Sequence, residues 1–209
     1  MNKTMLMMIP LALLAAPVVA TPVAFPCKPG MVITYQGQGQ WQEGSGAATV
    51  VSRKVTWHTR YLACSHTATK TVAVVRGLPW DLEWYEPGTK PGTYAIIQTP
   101  KGLFILAISY RHNLNPATIK KGDGNRILRF PVKESTCARH NREHPYETYC
   151  WFLNSVRHQG HKTAWKIVFR TLPDYTSMTI VPGIGMTTFR YKHFGTVAQV
   201  RMHLVRIRK

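Results

Sequence analysis

The 209-residue sequence predicts an all-β domain, an antiparallel β-sandwich or incomplete β-barrel with little helix. Three observations lead there. Breakers punctuate the chain, among them Pro29-Gly30, Pro87-Gly88, Pro91-Gly92, Pro173-Asp174 and Pro182-Gly183. The runs between them are rich in Val, Ile, Thr, Tyr, Phe and Trp, which suit a pleated, half-buried surface. No stretch carries an apolar stripe at i, i+3, i+4, i+7 bounded by helix caps.

The chain opens with MNKTMLMMIPLALLAAPVVA. Lys3 gives a positive start, an apolar stretch follows, and Val18-Val19-Ala20 is a small-residue end. This order is that of a secretory signal peptide over residues 1–20. The stretch is short for a membrane span, which needs about 20 apolar residues. Cleavage after Ala20 leaves residues 21–209, one domain's worth, long enough to bury a core. No cysteine stands at that junction to carry a lipid, and no second run suits an integral membrane span. The expected location is therefore exported, periplasmic or extracellular.

Strands are expected, in order, over 31–36, 49–59, 71–76, 94–98, 103–110, 126–132, 148–156, 162–171, 177–180, 186–193 and 197–208. Each is a β-favouring run between turn signals. The first follows Pro29-Gly30. The run from Gly102 to Ile108 is the most apolar and suits a buried strand. Residues 113–125 hold Pro, Gly, Asn and two lysines and read as an exposed connection. The last third is clearest. Trp165, Ile167 and Phe169 alternate with Lys166 and Arg170. Phe189 and Tyr191 alternate with Arg190 and Lys192. Ala198, Val200, Met202 and Leu204 alternate with Gln199, Arg201 and His203. Period two puts one set on the core and the other toward water. These strands thus offer an outer face with Lys166, Arg170, Arg190, Lys192 and Arg201. Phe189 and Tyr191 should point inward, which leaves that face without stacking rings from its own strands.

The four cysteines, Cys27, Cys64, Cys137 and Cys150, all lie past the signal. An even count in an oxidising compartment implies two disulfides. The short loop favours Cys137–Cys150, and hence Cys27–Cys64. Such a loop closure stabilises by roughly 3 kcal/mol in the chain-entropy model.

Charge is lopsided: 27 Lys and Arg stand against 9 Asp and Glu, a formal net charge of +18. Such a field draws anions, such as an anionic envelope component or another polyanion. No motif indicates specific nucleic-acid readout.

Candidate chemistry is sparse. His140-Asn-Arg-Glu143-His144 matches the H-x-x-E-H pattern of one class of zinc peptidases. Pro145 follows at once and disfavours helix at His144, and no suitable remote acidic ligand follows. Cys137 and Cys150 bracket the motif, so a stapled polar loop is the expectation and the metal site (His140, Glu143, His144) the alternative. No G-x-S-x-G elbow occurs. Gly183-Ile-Gly185 lacks a third glycine and reads as a hairpin turn. The one acidic patch is LPWDLEWYEPG, where Trp80, Asp81, Glu83 and Trp84 form a possible polar ligand site. There Asp81 and Glu83 would share a face if the segment is a strand, and an edge strand with its acids facing water is the plainer expectation. Neither a cofactor nor a catalytic residue is indicated.

FPCKPGMVITYQG near the start resembles the P-x-x-x-G-x-x-W-x-Y opening of uncharacterised, β-rich exported bacterial envelope proteins, with Ile33 in place of Trp. VPGIGMTTFRYKHFGT, followed by RMHLVRI, is similar to their P-G-V-G closing hairpin and final strand. The resemblance covers the two ends, about a quarter of the chain. It implies a β-sandwich or half-open barrel in the envelope and no reaction. The expected function is a non-enzymatic binding or structural domain with an apolar or anionic envelope ligand. The alternative is an exported metal-dependent hydrolase built on the HNREH loop.

Overall fold

The structure, a computed structural model, describes residues 23–43, 49–83, 88–108, 115–120, 124–132, 151–159, 162–171, 173–194 and 198–209. The eleven strands of the described chain are β1 (Val32–Glu43), β2 (Thr49–Thr67), β3 (Lys70–Arg76), β4 (Thr93–Thr99), β5 (Gly102–Ile108), β6 (Asn125–Arg129), β7 (Phe152–Gln159), β8 (Lys162–Arg170), β9 (Asp174–Val181), β10 (Gly185–His193) and β11 (Ala198–Arg208). Each falls where the sequence reading places one. They form one antiparallel sheet in the order β6-β5-β4-β3-β2-β1-β11-β10-β9-β8-β7. The edge strands β6 and β7 touch, so the sheet curls into a nearly closed barrel.

Sequential antiparallel pairings make both halves of the sheet: two-residue turns join β2 to β3 and β4 to β5, and longer linkers join β3 to β4 and β5 to β6. The halves join where β1 pairs with β11, which brings the two chain ends together. Alternation decides which side faces in. Ile33, Tyr35, Trp57, Tyr61, Trp165, Ile167, Phe189, Tyr191, Val200 and Met202 all belong to one interior cluster. Each such fully buried side chain contributes about 1.5–3 kcal/mol through removal from water. Among the described residues these side chains line the barrel axis.

The strands β3 and β4 read as continuous apolar runs because both their faces are covered. Ala73, Val75 and Ile96 face the barrel interior. Val72, Val74, Ala95 and Ile97 form a second cluster on the opposite face, with Ile119 packed against it. Ile119 follows a short 3-10 turn, Pro116–Thr118, and its carbonyl accepts from Lys70 Nζ at 2.5 Å. Part of the expected exposed connection thus covers apolar surface.

Both barrel ends are stoppered. At one end the segment from Val23 to Cys27 enters, burying Ala24 and Phe25. Its Ala24 N–H donates to Gln98 Oε1 at 2.7 Å, and its Val23 carbonyl accepts from Gly183 N at 2.6 Å. The Cys27–Cys64 disulfide, formed as expected, ties this segment to β2 with a Cα–Cα distance of 5.6 Å. Cys137 and Cys150 lie outside the described residues. At the other end sits a 3-10 turn, Pro79–Leu82, where the acidic patch was expected to be a strand. Leu78 and Leu82 are buried there, and the Gly77 carbonyl accepts from Trp57 Nε1 at 3.0 Å and Thr59 Oγ1 at 2.6 Å. Proline at the first turn position sets φ for a turn and removes a ladder donor. No helix among the described residues is long and apolar enough to cross a membrane.

Candidate functional site: a cationic cleft on the outer wall

The strands β8, β9, β10 and β11 are consecutive neighbours in the sheet. Their register sets which outward residues adjoin. Arg170 lies opposite Tyr175, and Tyr175 lies opposite Lys192. One row along, Arg190 lies opposite both Ser177 and Arg201. Lys166 lies opposite Thr179, a further row away. All five cations expected on the outer face are therefore on one wall. Arg170, Arg190 and Lys192 also converge. Together with Thr171, Asp174, Tyr175 and Phe194 they line a cleft of about 330 Å³.

Aromatic rings organise these cations. The Arg170 guanidinium lies over the Tyr175 ring at 5.4 Å from its centroid, and that of Arg190 at 5.8 Å. One comes from each strand flanking β9. Lys192 Nζ lies 4.6 Å from the centroid of Phe194, a ring that is 60% exposed. Ring quadrupoles hold cations without neutralising them. This corrects the expectation of a wall without ring surface. Phe189 and Tyr191 do point inward, but Tyr175 and Phe194 come from the start of β9 and the turn after β10. The signal for Tyr175 was present: Tyr175, Ser177 and Thr179 alternate with Thr176, Met178 and Ile180. The expected strand began only at 177 and cut it off.

Behind the cleft lies a cluster of carboxylates already engaged with protein donors. Asp174 Oδ1 accepts from Tyr191 OH at 2.7 Å and is 2.9 Å from His193 Nδ1. Glu83 Oε1 accepts from Thr176 Oγ1 at 2.7 Å. Asp81 accepts from Tyr94 OH at 2.5 Å and from the Gly92 N–H at 3.0 Å. Burial pushes the Glu83 carboxyl above its ordinary range, against donors from Thr176 and Trp80. Burial pushes the Asp81 carboxyl up likewise, against the donors Tyr94 and Gly92. Burial also raises the Tyr191 and Tyr94 phenols, and the neighbouring carboxylates raise them further. Both phenols therefore stay protonated and donate to the carboxylates.

The possible ligand site at Trp80, Asp81, Glu83 and Trp84 therefore takes another form. Asp81 and Glu83 do not face water from an edge strand; they turn in and lock the end turn. Trp80 packs edge-on against Trp151 at 5.2 Å, so its ring is occupied by the core. Trp84 lies outside the described residues, as do His140, Glu143 and His144. Among the described residues no three His, Cys, Asp or Glu side chains gather as metal ligands.

No protein-family model and no curated protein matches the sequence. Two solved structures are similar in fold. One, from Bacteroides fragilis, is provisionally described as an exported protein with a YmcC-like fold. It shares 11% identity at a TM-score of 0.47, over 90% of this chain and 100% of that one. The other, from Parabacteroides distasonis, is provisionally described as a lipoprotein. It shares 9% identity at a TM-score of 0.40, over 90% of this chain and 99% of that one.

Proposed function

We propose that the protein is an exported, non-catalytic binding domain whose outer wall holds an anionic group in the cleft between Arg170, Arg190 and Lys192. The single observation that carries this reading is the convergence of three cations on ring surface, with the adjoining carboxylate already engaged. Asp174 is the one acid lining the cleft among the described residues, and it contacts Tyr191 and His193. The field of the cleft is therefore positive and directed outward. An arginine fork suits a planar carboxylate or sulfate, and Phe194 adds an apolar edge for the body that carries it. Export is supported by the leader-like first twenty residues and by the disulfide, a bond that persists in oxidising compartments.

The test is a calorimetric titration of residues 21–209, disulfide intact, with a sulfated, carboxylated disaccharide derived from heparin. One molecule should bind per protein, and added salt should weaken it. Arg190→Gln should lower affinity by about tenfold, the loss of one charge-assisted pair of about 1.4 kcal/mol. Equal affinity in wild type and R190Q, or no binding at low salt, refutes the reading.

A further inference from the structure

We infer that the cleft is one end of a track on which a linear acidic polysaccharide crosses the strands toward β2. This rests on the anion reading of the cleft and extends it to the chemical class and path of the ligand. The path is set by register. Arg190 lies opposite Arg201, Arg201 opposite Gln38, and Gln38 opposite Lys54. All four are exposed, on the same side of four neighbouring strands. Neighbouring strands lie about 4.8 Å apart, so Arg190 to Lys54 covers about 14 Å and Arg170 to Lys54 about 24 Å. That step is close to the advance of a glycan by one pyranose ring.

Two features set this row apart from the rest of the surface. Arg190 and Arg201 are directly opposed, an arrangement that costs stability in a sheet. Neither pairs with a carboxylate among the described residues. An anion between them would offset that repulsion. The cations are also interleaved with neutral hydrogen-bonding groups. Gln36, Gln38, Gln40 and Gln42 stand at every second position of β1, and the Gln40 and Gln199 amides bond one another across β1 and β11. Amides between cations match a polymer whose charged groups are separated by hydroxyls.

Geometry favours a glycan over other polyanions. To cross the strands is to travel around the barrel, and a flexible chain follows that convex path. A planar lipid surface touches a barrel along one line only. A single-stranded nucleic acid is held by stacking on free ring faces as well as by charge. Here Tyr175 already carries two guanidiniums, and beyond the cleft the track offers amides rather than rings.

The experiment compares heparin-derived oligosaccharides of two, four and eight sugars on residues 21–209, with Lys54→Gln, Arg201→Gln and a control, Lys101→Gln, in the turn between β4 and β5. Thermal melting confirms that each variant is folded. The octasaccharide should bind at least about tenfold more tightly than the disaccharide, and its affinity should fall more steeply with salt. K54Q and R201Q should each weaken the octasaccharide about threefold or more and leave the disaccharide unchanged. K101Q should alter neither. Affinity independent of length, or K54Q and R201Q indistinguishable from K101Q, overturns the track. Tighter binding of a single-stranded oligodeoxynucleotide, or of phosphatidylserine vesicles, through the same residues overturns the glycan. Failure of the disaccharide to bind sinks the cleft itself. Disaccharide binding that depends on Arg190 without gain in length sinks only the extension.

Discussion

Gly37 sits in the middle of β1, next to the proposed track, and alanine there should open the sheet. A Cβ at this position would lie 1.7 Å from the Arg201 carbonyl oxygen, 2.8 Å from its carbon and 2.9 Å from Met202 Cα. All three are backbone atoms, so no rotamer change relieves the clash. A carbon and a carbonyl oxygen in contact between strands normally stay about 3.3 Å or more apart. β1 and β11 must therefore separate locally by roughly 1.6 Å, enough to break ladder bonds that begin near 2.9 Å. Two lost backbone bonds at about 1 kcal/mol each, plus an overpacking strain of about 1–3 kcal/mol, give about 3–5 kcal/mol. The assay is urea unfolding followed by tryptophan fluorescence, with the slope checked so that a shifted midpoint reports stability. Gly183→Ala is the comparison. Gly183 has φ +77° but nothing within 4 Å of its Cβ position, so that variant should lose only about 1–2 kcal/mol from the left-handed backbone. If Gly37→Ala costs less than about 1 kcal/mol, or less than Gly183→Ala, the close approach of β1 and β11 is wrong.

Three further outcomes follow from the same structure. Cys27→Ser with Cys64→Ser opens a loop with a sequence separation of 37 and should cost about 4 kcal/mol in the chain-entropy model; an unchanged urea midpoint would contradict the stapled end segment. Tyr94→Phe removes the shorter of two bonds to Asp81 in a part-buried site and should cost about 1–3 kcal/mol, while NMR titration shows the Asp81 carboxyl rising further. Burial holds Glu83 above its unfolded value of 4.5, so the folded protein takes up a proton first as pH falls. Its contribution to stability is then full below the unfolded value and lost as pH rises through the folded one. Wild type should gain stability on mild acidification from neutral pH, and Glu83→Gln should flatten that gain; parallel curves would count against the buried carboxyl.

Strand positions and, in the last third, parity were legible because these strands turn one face to water. Trp165, Ile167 and Phe169 alternate with Lys166 and Arg170, and only one pairing face satisfies that pattern. The same alternation puts Lys166, Arg170, Arg190, Lys192 and Arg201 on the outward parity. It failed where a second constraint overrode alternation. β3 and β4 bury both faces, so Val72 to Val75 carries no period to read. The expected first strand stopped at residue 36, but β1 runs on through Gly37 and Gly39, because Gly37 permits the close approach of β11. In LPWDLE the alternation of Trp80, Asp81 and Leu82 imitated an edge strand. Pro79 and the buried Leu78 and Leu82 instead make a turn that closes the barrel end. The convergence of Tyr175 with Arg170 and Arg190 depends on β9 lying between β8 and β10, a long-range fact that periodicity does not contain.

The placement of the acids explains why the outer wall stays cationic. Glu43, Asp81, Glu83 and Asp174 are the acidic residues among the described part of the chain. Glu43 accepts from Trp41 Nε1 at 3.0 Å. Asp81 and Glu83 accept from a phenol, a backbone amide and a hydroxyl at the barrel end. Asp174 Oδ1 accepts from Tyr191 OH and lies 2.9 Å from His193 Nδ1. Each of these four carboxylates thus has a donor of its own, and none of them pairs with Arg190 or Arg201. A surface evolved only for solubility gains nothing by opposing Arg190 to Arg201, since interspersed charges of both signs serve that end at lower cost. A wall that opposes Arg190 to Arg201, holds cations against rings and spaces them with amides is arranged to take counter-ions from outside.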